Sequence, residues 1–135
     1  MKTDLEYLKR MLEVFSGSEM PFVSTKELEE KGFDISSEKG YFHYLMLIEK
    51  GYVSTIDLVL YDPKKLGLMY TLNRIDSWNT TVRLTSDGYD FASALQDKSV
   101  FEKLKQIGEQ PITVLKDIGI ELLKSYAKKK FGLPD

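Results

Sequence analysis

The feature that most constrains the fold is the passage from an apolar segment into a β-like run at Gly51. Leu45, Ile48 and Gly51 follow one another at intervals of three, and Tyr52 then opens a stretch rich in β-branched and aromatic residues. Glycine is favoured just beyond a helix C-terminus because it adopts positive φ at no steric cost. The pattern therefore predicts a helix that stops at Gly51 and leads directly into a strand.

Three helices are predicted before this point. The first two begin with capping boxes at residues 3–6 and 24–27, where a Ser or Thr hydroxyl can cap the helix and a Glu three residues later can reach back. In the first box the capping residue is Thr3. The third helix begins at Ser36 or Ser37 and runs to Lys50.

Strands are predicted over residues 52–60, 66–75 and 80–84, where β-branched and aromatic residues cluster between turn signals. Three more helices follow, and the first of them is capped by Thr85 or Ser86. This order predicts an α+β fold of winged helix-turn-helix type, with a β-hairpin or three-stranded wing followed by C-terminal helices. We expect the winged domain to span residues 1–98. We expect residues 99–135 to form an extension that packs on it or makes a homodimer.

Composition limits the chemistry that the chain can perform. Its 135 residues contain one histidine and no cysteine, and the motifs GxSxG, HExxH and DxD are all missing. We therefore predict a protein that is not an enzyme and uses no cofactor or metal. The charged N-terminal segment has no apolar signal region, and no apolar run is long enough to span a membrane, so a cytoplasmic location without membrane contact is expected.

DNA binding is the first functional hypothesis, although the formal net charge of −2 gives no bulk basic signature. On a helical wheel of the third helix, Tyr41, Tyr44, Leu45 and Ile48 share the arc predicted to face the core. The opposite arc would enter the major groove of double-stranded DNA, and the ribbon would lie on the phosphate backbone. The candidate DNA contacts are Lys39, His43 and Lys50 on the helix and Lys64, Lys65, Arg74 and Arg83 in the ribbon. A solvated helix face is an equally good interpretation of the same pattern.

A protein-interaction module is the second hypothesis, for example one that acts on a host factor. Met46 and Leu47 lie on or beside the same predicted arc, and Trp78 stands in a polar stretch. Exposed apolar and tryptophan side chains are typical anchors of protein interfaces. Trp78 is also interpreted as a plug at the edge of the core, and the lysines near the C-terminus as cations that suit a helix end.

The second half of the chain resembles a family of small bacterial proteins. The match begins with Arg83-Leu84-Thr85, then Gly88-Tyr89 and Phe91. It covers most of the chain, because it also includes Leu115, Ile118, Phe131-Gly132-Leu133, the N-terminal helix and the stop at Gly51. The chain departs from the pattern at Ser86, Asp87 and Phe101. The family is a winged-helix-like domain of unknown function associated with prophages. The resemblance implies a bacterial or prophage protein and identifies no functional residue. Under the DNA-binding hypothesis, the chain would act as a prophage or bacterial transcriptional regulator. Within the motif, we expect Thr85 to cap a helix and Gly88 to permit close packing.

Overall fold

A computed structural model of the chain describes residues 1–134 and shows an α+β fold. Across these residues the helices are α1 (Leu5–Ser16), α2 (Thr25–Glu30), α3 (Glu38–Glu49), α4 (Ser86–Gln96), α5 (Lys98–Ile107) and α6 (Ile112–Lys130). The strands are β1 (Val23–Ser24), β2 (Val53–Ser54), β3 (Leu68–Thr71), β4 (Arg74–Ser77) and β5 (Thr81–Leu84). The chain divides into two compact units, the first covering Met1–Tyr89 and the second beginning at Asp90.

Two small antiparallel sheets lie in the first unit. One has the strand order β1-β5-β2, with Val23 opposite Val82 and Val53 opposite Leu84. The other is the hairpin β3–β4, in which Thr71 is opposite Arg74. The third predicted strand, residues 80–84, is therefore confirmed as β5.

The other two predicted strands are wrong in extent. Strand pairing after Gly51 ends at Ser54, because Thr55 bonds within its own loop. Its hydroxyl donates to the Asp57 carboxylate (2.6 Å) and accepts from the Val59 N–H (2.9 Å). Residues 66–75 do not form one strand, because the chain turns back between Thr71 and Arg74.

The helix ends follow the predicted chemistry with one exception. The Ser24 capping box is present, and Ser37 caps α3. At Gly51, where φ is +71°, the Gly51 and Tyr52 N–H groups donate to carbonyls of the last turn of α3, as in a Schellman motif. The first helix is capped by Asp4 rather than Thr3, since the Asp4 carboxylate accepts from the Tyr7 N–H at 3.0 Å.

The start of α4 is hydrogen-bonded to the residues that follow α3. The predicted cap at Thr85 and the predicted close packing at Gly88 are both confirmed. The Thr85 hydroxyl donates to the Gly51 carbonyl (2.6 Å) and accepts from the Gly88 N–H (3.2 Å). The Thr85 N–H donates to the Tyr52 carbonyl at 3.0 Å. A Cβ atom at Gly88 would overlap this Tyr52 carbonyl oxygen, so no larger residue fits there without moving backbone.

Each unit has its own buried apolar residues. In the first unit they come from α1, α2, α3 and the strands, and they include Leu8, Leu12, Phe15, Leu28, Tyr44, Leu47, Ile48, Val82 and Leu84. Phe33 and Ile35, in the turn before α3, are also buried. In the second unit the buried residues include Phe91, Leu95, Val100, Phe101, Leu104 and Leu115. There Gly119 of α6 allows close approach to Ala94, Val100 and Leu104.

Candidate functional site

His43 of α3 is completely buried and has two hydrogen-bonding partners. Its Nε2 accepts from the Asp4 N–H at 2.9 Å, so Nδ1 carries the proton and donates to the Lys39 carbonyl at 2.8 Å. Burial lowers the pKa of the ring below its ordinary value, and the bond to the Lys39 carbonyl opposes this shift. The prediction that His43 contacts DNA is therefore wrong, because the ring joins the start of α1 to α3 and faces no solvent.

The buried arc of α3 is rotated from the predicted one. Leu47 is fully buried, so its prediction as a partner-binding residue is wrong, and Met46 is half-buried. Tyr41 and Leu45, predicted to face the core, are also only half-buried. The helix is apolar over most of its circumference, so the spacing of apolar residues allows two different faces to be buried. The hydrogen bonds of His43 to Asp4 and Lys39 form when the observed face is buried.

The candidate cations have different environments. Lys39 pairs with Asp4 (2.7 Å) and lies over the Tyr7 ring, and the exposed Arg74 pairs with Asp76 (2.9 Å). Arg83 is half-buried and donates from Nε to the Leu84 carbonyl at 3.2 Å. The remaining candidates, Lys50, Lys64 and Lys65, are exposed.

Trp78 lies at the base of the hairpin, and 40% of its surface is exposed. Its backbone is tied on both sides, because its N–H donates to the Gly67 carbonyl (3.2 Å) and its carbonyl accepts from the Thr25 hydroxyl (2.9 Å). The Thr25 hydroxyl also accepts from the Thr80 N–H at 3.1 Å. These bonds fix the hairpin to the start of α2 while part of the indole stays accessible.

A groove of about 300 Å³ lies between α3, the turn at residues 62–64 and β3. Its apolar lining consists of Tyr41, Leu45, Pro63, Leu68, Met69 and Tyr70. The Tyr41 and Tyr70 rings meet across it, with their centroids 5.9 Å apart.

The charges of the groove come from Asp62 and Lys64. Asp62 is half-buried and accepts from the Lys65 N–H at 3.3 Å, whereas Lys64 is exposed. The groove therefore combines an apolar floor with an accessible ammonium group.

Exposed apolar side chains lie in the segments that flank the groove in sequence. We call this set the apolar rim: Ile56, Leu58, Leu60, Tyr61 and Leu72, each 37–97% exposed. The hairpin tip is the extreme case, with Leu72 at 97%. Single exposed apolar residues are normal on a protein surface, whereas contiguous apolar patches mark interaction sites. Four of the five rim residues lie within residues 56–61.

Three rim residues also have unfavourable backbone conformations. The φ angles are +64° at Leu58, +62° at Tyr61 and +50° at Leu72. Positive φ costs a non-glycine residue about 1 kcal/mol or more, and Asn, Asp and Gly are the usual occupants. Asn73, next to Leu72 in the hairpin turn, also has positive φ (+61°), and asparagine is a usual residue at such a position.

Reasoning from sequence missed most of this site. Tyr41 and Leu45 were expected in the core, and Tyr70 and Leu72 were expected inside one continuous strand. The available signal was the apolar run at residues 58–61 directly before Asp62-Pro63, which is too apolar for an ordinary surface loop. Asn73 was the corresponding signal for the hairpin turn.

In comparisons with known proteins, no family model, no curated protein and no solved structure matches this chain. Among residues 1–134, no helix has the length and apolar character needed to cross a membrane. Within the same residues, no group of three or more histidine, aspartate or glutamate side chains is arranged to hold a metal ion.

Proposed function

We propose that the first unit is a protein-binding module of winged-helix type that holds its partner in the groove between α3 and β3. The observation that carries this proposal is the combination of the apolar groove with the exposed side chains of Leu58 and Leu72, whose backbones have unfavourable positive φ. Stability alone would favour Asn or Gly at these positions. A partner that covers the side chains gives a reason for leucine.

The winged-helix part of the proposal is supported by element order and strand order. The sequence α1-β1-α2-α3-β2 leads through the hairpin to β5, and β5 pairs with both β1 and β2. In the proposed winged-helix fold the hairpin would serve as the wing. Fold does not determine function, so the choice between partners depends on the surface that α3 and the hairpin present.

That surface favours a protein over a nucleic acid. Base readout in the major groove usually depends on Arg, Asn or Gln, and α3 contains none of the three. Its exposed residues are Glu38, Lys39 and Glu49, and its half-buried ones are Tyr41, Phe42, Leu45 and Met46. Apolar and aromatic side chains are characteristic of the buried centre of protein interfaces.

Double-stranded DNA is the second candidate partner, and the exposed lysines are the observation in its favour. Lys50 follows α3, while Lys64 and Lys65 precede the hairpin. Phosphate contacts from such lysines would give weak binding that disappears as salt is added. A bacterial or prophage origin, the resemblance to the prophage-associated family and a homodimer through the C-terminal helices stay predictions.

The test is an affinity-capture experiment from the source lysate, with the full chain as bait and quantitative comparison between variants. We expect one or more proteins to be enriched on the wild type and lost on the Leu58→Ser/Leu72→Ser variant. The matched control is Ile107→Ser, which removes an exposed apolar side chain from the second unit (41% exposed).

A parallel salt titration with random duplex DNA separates the two candidates. Tight, salt-dependent DNA binding that Lys64→Glu/Lys65→Glu abolishes, together with equal capture by wild type and the Leu58→Ser/Leu72→Ser variant, would refute the protein-binding proposal and favour DNA.

A further inference from the structure

The edge of β3 is open on the side away from β4. The hairpin sheet has only these two strands within the described residues, in the order β3–β4. An unpaired strand edge presents a row of N–H and C=O groups that can pair with another chain. The question is which groups of β3 point outward and what surface lies beside them.

The turn fixes which groups point outward. Leu72 and Asn73, both with positive φ, form a two-residue loop, and the residues on either side of such a loop pair through both of their backbone hydrogen bonds. Bonded and non-bonded pairs alternate in an antiparallel ladder. Met69 and Asp76 are therefore a bonded pair, whereas Tyr70 and Ile75 are a non-bonded pair. The backbone N–H and C=O of Tyr70 consequently point away from β4. The bond from the Trp78 N–H to the Gly67 carbonyl follows the same alternation.

Of the backbone groups on the edge of β3 away from β4, one is hydrogen-bonded to another residue of the chain and others point outward. The Leu68 N–H donates to the Pro63 carbonyl at 2.9 Å, as the alternation requires. The Leu68 carbonyl and both backbone groups of Tyr70 point the same way. The groove is lined by β3 residues and by none from β4, so it lies beside this edge of the hairpin.

We infer that the partner binds as an extended segment that adds a strand to the edge of β3. This inference rests on the proposed function and names the form and chemistry of the partner. Main-chain bonds to Leu68 and Tyr70 would hold the segment. Its alternate side chains would enter the groove between Tyr41, Leu45 and Tyr70, because successive strand residues face opposite sides.

Charge specifies one further property of the segment. Both Asp62 and Lys64 line the groove, but Asp62 is half-buried and accepts from the Lys65 N–H, whereas Lys64 is exposed and is the more accessible charge. An acidic side chain or a terminal carboxylate of the partner complements Lys64. The structure therefore assigns to the groove an extended segment with alternating apolar residues and one nearby carboxylate.

The experiment begins with 12-residue random peptides displayed on phage, in one library with free C-termini and in another with free N-termini, selected on the full chain and counter-selected on Tyr70→Ser. Tyr70 is 55% exposed on the hairpin, so this substitution removes a ring of the groove without opening the core. We expect enriched peptides with apolar residues at every second position and an Asp, a Glu or a free C-terminus. Lys64→Glu should weaken the best synthetic peptide about two- to fivefold, and Lys103→Glu in α5 should leave it unchanged.

Stepwise N-methylation of that peptide then tests strand addition directly. Methylation of the amides that face β3 should weaken binding roughly tenfold or more, since it removes a main-chain bond and adds bulk. Methylation of the intervening amides should change the affinity by less than about twofold.

The outcomes separate the two proposals. Uniform sensitivity to methylation, helical bound peptides, no preference for a carboxylate, or self-association that Tyr70→Ser removes would overturn the strand-addition inference while leaving the groove a protein-binding site. If no peptide is enriched, or if binding is indifferent to Tyr70→Ser, both proposals fail.

Discussion

Two regions of the first unit differ in the residues that they place at unusual backbone positions. One is the junction between α3 and α4, formed by Gly51, Tyr52, Thr85 and Gly88, and the other is the apolar rim. At the junction, positive φ falls on Gly51, and the crowded position falls on Gly88, the residue without a side chain. In the rim, Leu58 and Leu72 have positive φ and point large apolar groups into solvent. Tyr61 also has positive φ, but its ring packs against Gly51 and so makes a contact within the fold. The junction residues suit stability, whereas the two leucines do not, and the proposed binding role would account for the difference.

The largest effect is expected at the junction. Gly88→Ala should lower the free energy of unfolding by about 3 kcal/mol or more, because the new methyl group meets the Tyr52 carbonyl and backbone must move. Urea denaturation monitored by circular dichroism measures the loss.

The control for this substitution is Gly32→Ala. Gly32 has a φ of +97° but no atom near its missing Cβ, so alanine there incurs only backbone strain, about 1 kcal/mol. Equal losses at the two positions would show that the crowding at Gly88 is not what makes glycine necessary.

The buried histidine should give the next largest effect. His43→Leu removes the partner of the Asp4 N–H and should reduce stability by about 1–3 kcal/mol, since a buried or half-buried donor is left without its acceptor. Thermal unfolding near neutral pH provides the measurement. An unchanged midpoint would mean that the hydrogen bond between the Asp4 N–H and His43 contributes nothing to stability.

Stability should also depend on pH through His43. Its pKa is lower in the folded chain than the unfolded value of about 6.5, so its contribution is complete above that pH and declines as pH falls below it. The pKa of Asp4 is also lowered, chiefly by its bond to Lys39, but that contribution persists until the pH approaches about 4. A decline between about pH 6.5 and 4 that persists unchanged in His43→Leu would contradict the assignment.

A smaller loss is expected from Tyr44→Phe. The fully buried Tyr44 hydroxyl donates to the Leu66 carbonyl at 2.7 Å, next to the start of β3. Removing it should lower stability by about 1 kcal/mol and loosen the connection between α3 and the base of the hairpin. Urea titration gives the first quantity, and faster hydrogen exchange at Leu68 and Met69 would report the second.

The smallest effect should have the opposite sign. Leu72→Asn should raise stability by about 0.5–1 kcal/mol, because Asn tolerates positive φ and the exposed leucine makes no core contact. The same variant should bind the selected peptide more weakly. Leu60→Asn, which is less exposed and lacks positive φ, serves as the matched control and should not be stabilised. Loss of stability in Leu72→Asn would remove the contrast between the two regions.

The sequence predicted well those features that depend on neighbouring residues. Six helices within residues 1–134, the caps at Ser24 and Ser37, the stop at Gly51 and the close packing at Gly88 all follow from local chemistry. The cap at Asp4 was missed, because Thr3 and Asp4 both suit an N-cap and tertiary contacts, here Lys39 with Asp4, are absent from any local pattern.

The candidate site could be predicted only in part. An α3 that is apolar on most sides does not reveal which stripe is buried, so His43 and Leu47 were expected in solvent and Tyr41 and Leu45 in the core. The bond of His43 to Asp4 spans 39 residues and leaves no mark in the spacing of either segment. The turn within residues 66–75 was missed because Leu72, at the tip of the hairpin, is a residue that turns usually avoid.

The most direct test of the central claim, that the groove beside β3 is where a partner binds, is an amide chemical-shift titration of the full chain with the tightest selected peptide. The account predicts that the largest changes occur at the backbone amide of Tyr70 and at its groove neighbours Leu45, Lys64 and Met69. Changes centred on Lys39 and Lys50, or confined to residues beyond Asp90, would contradict it.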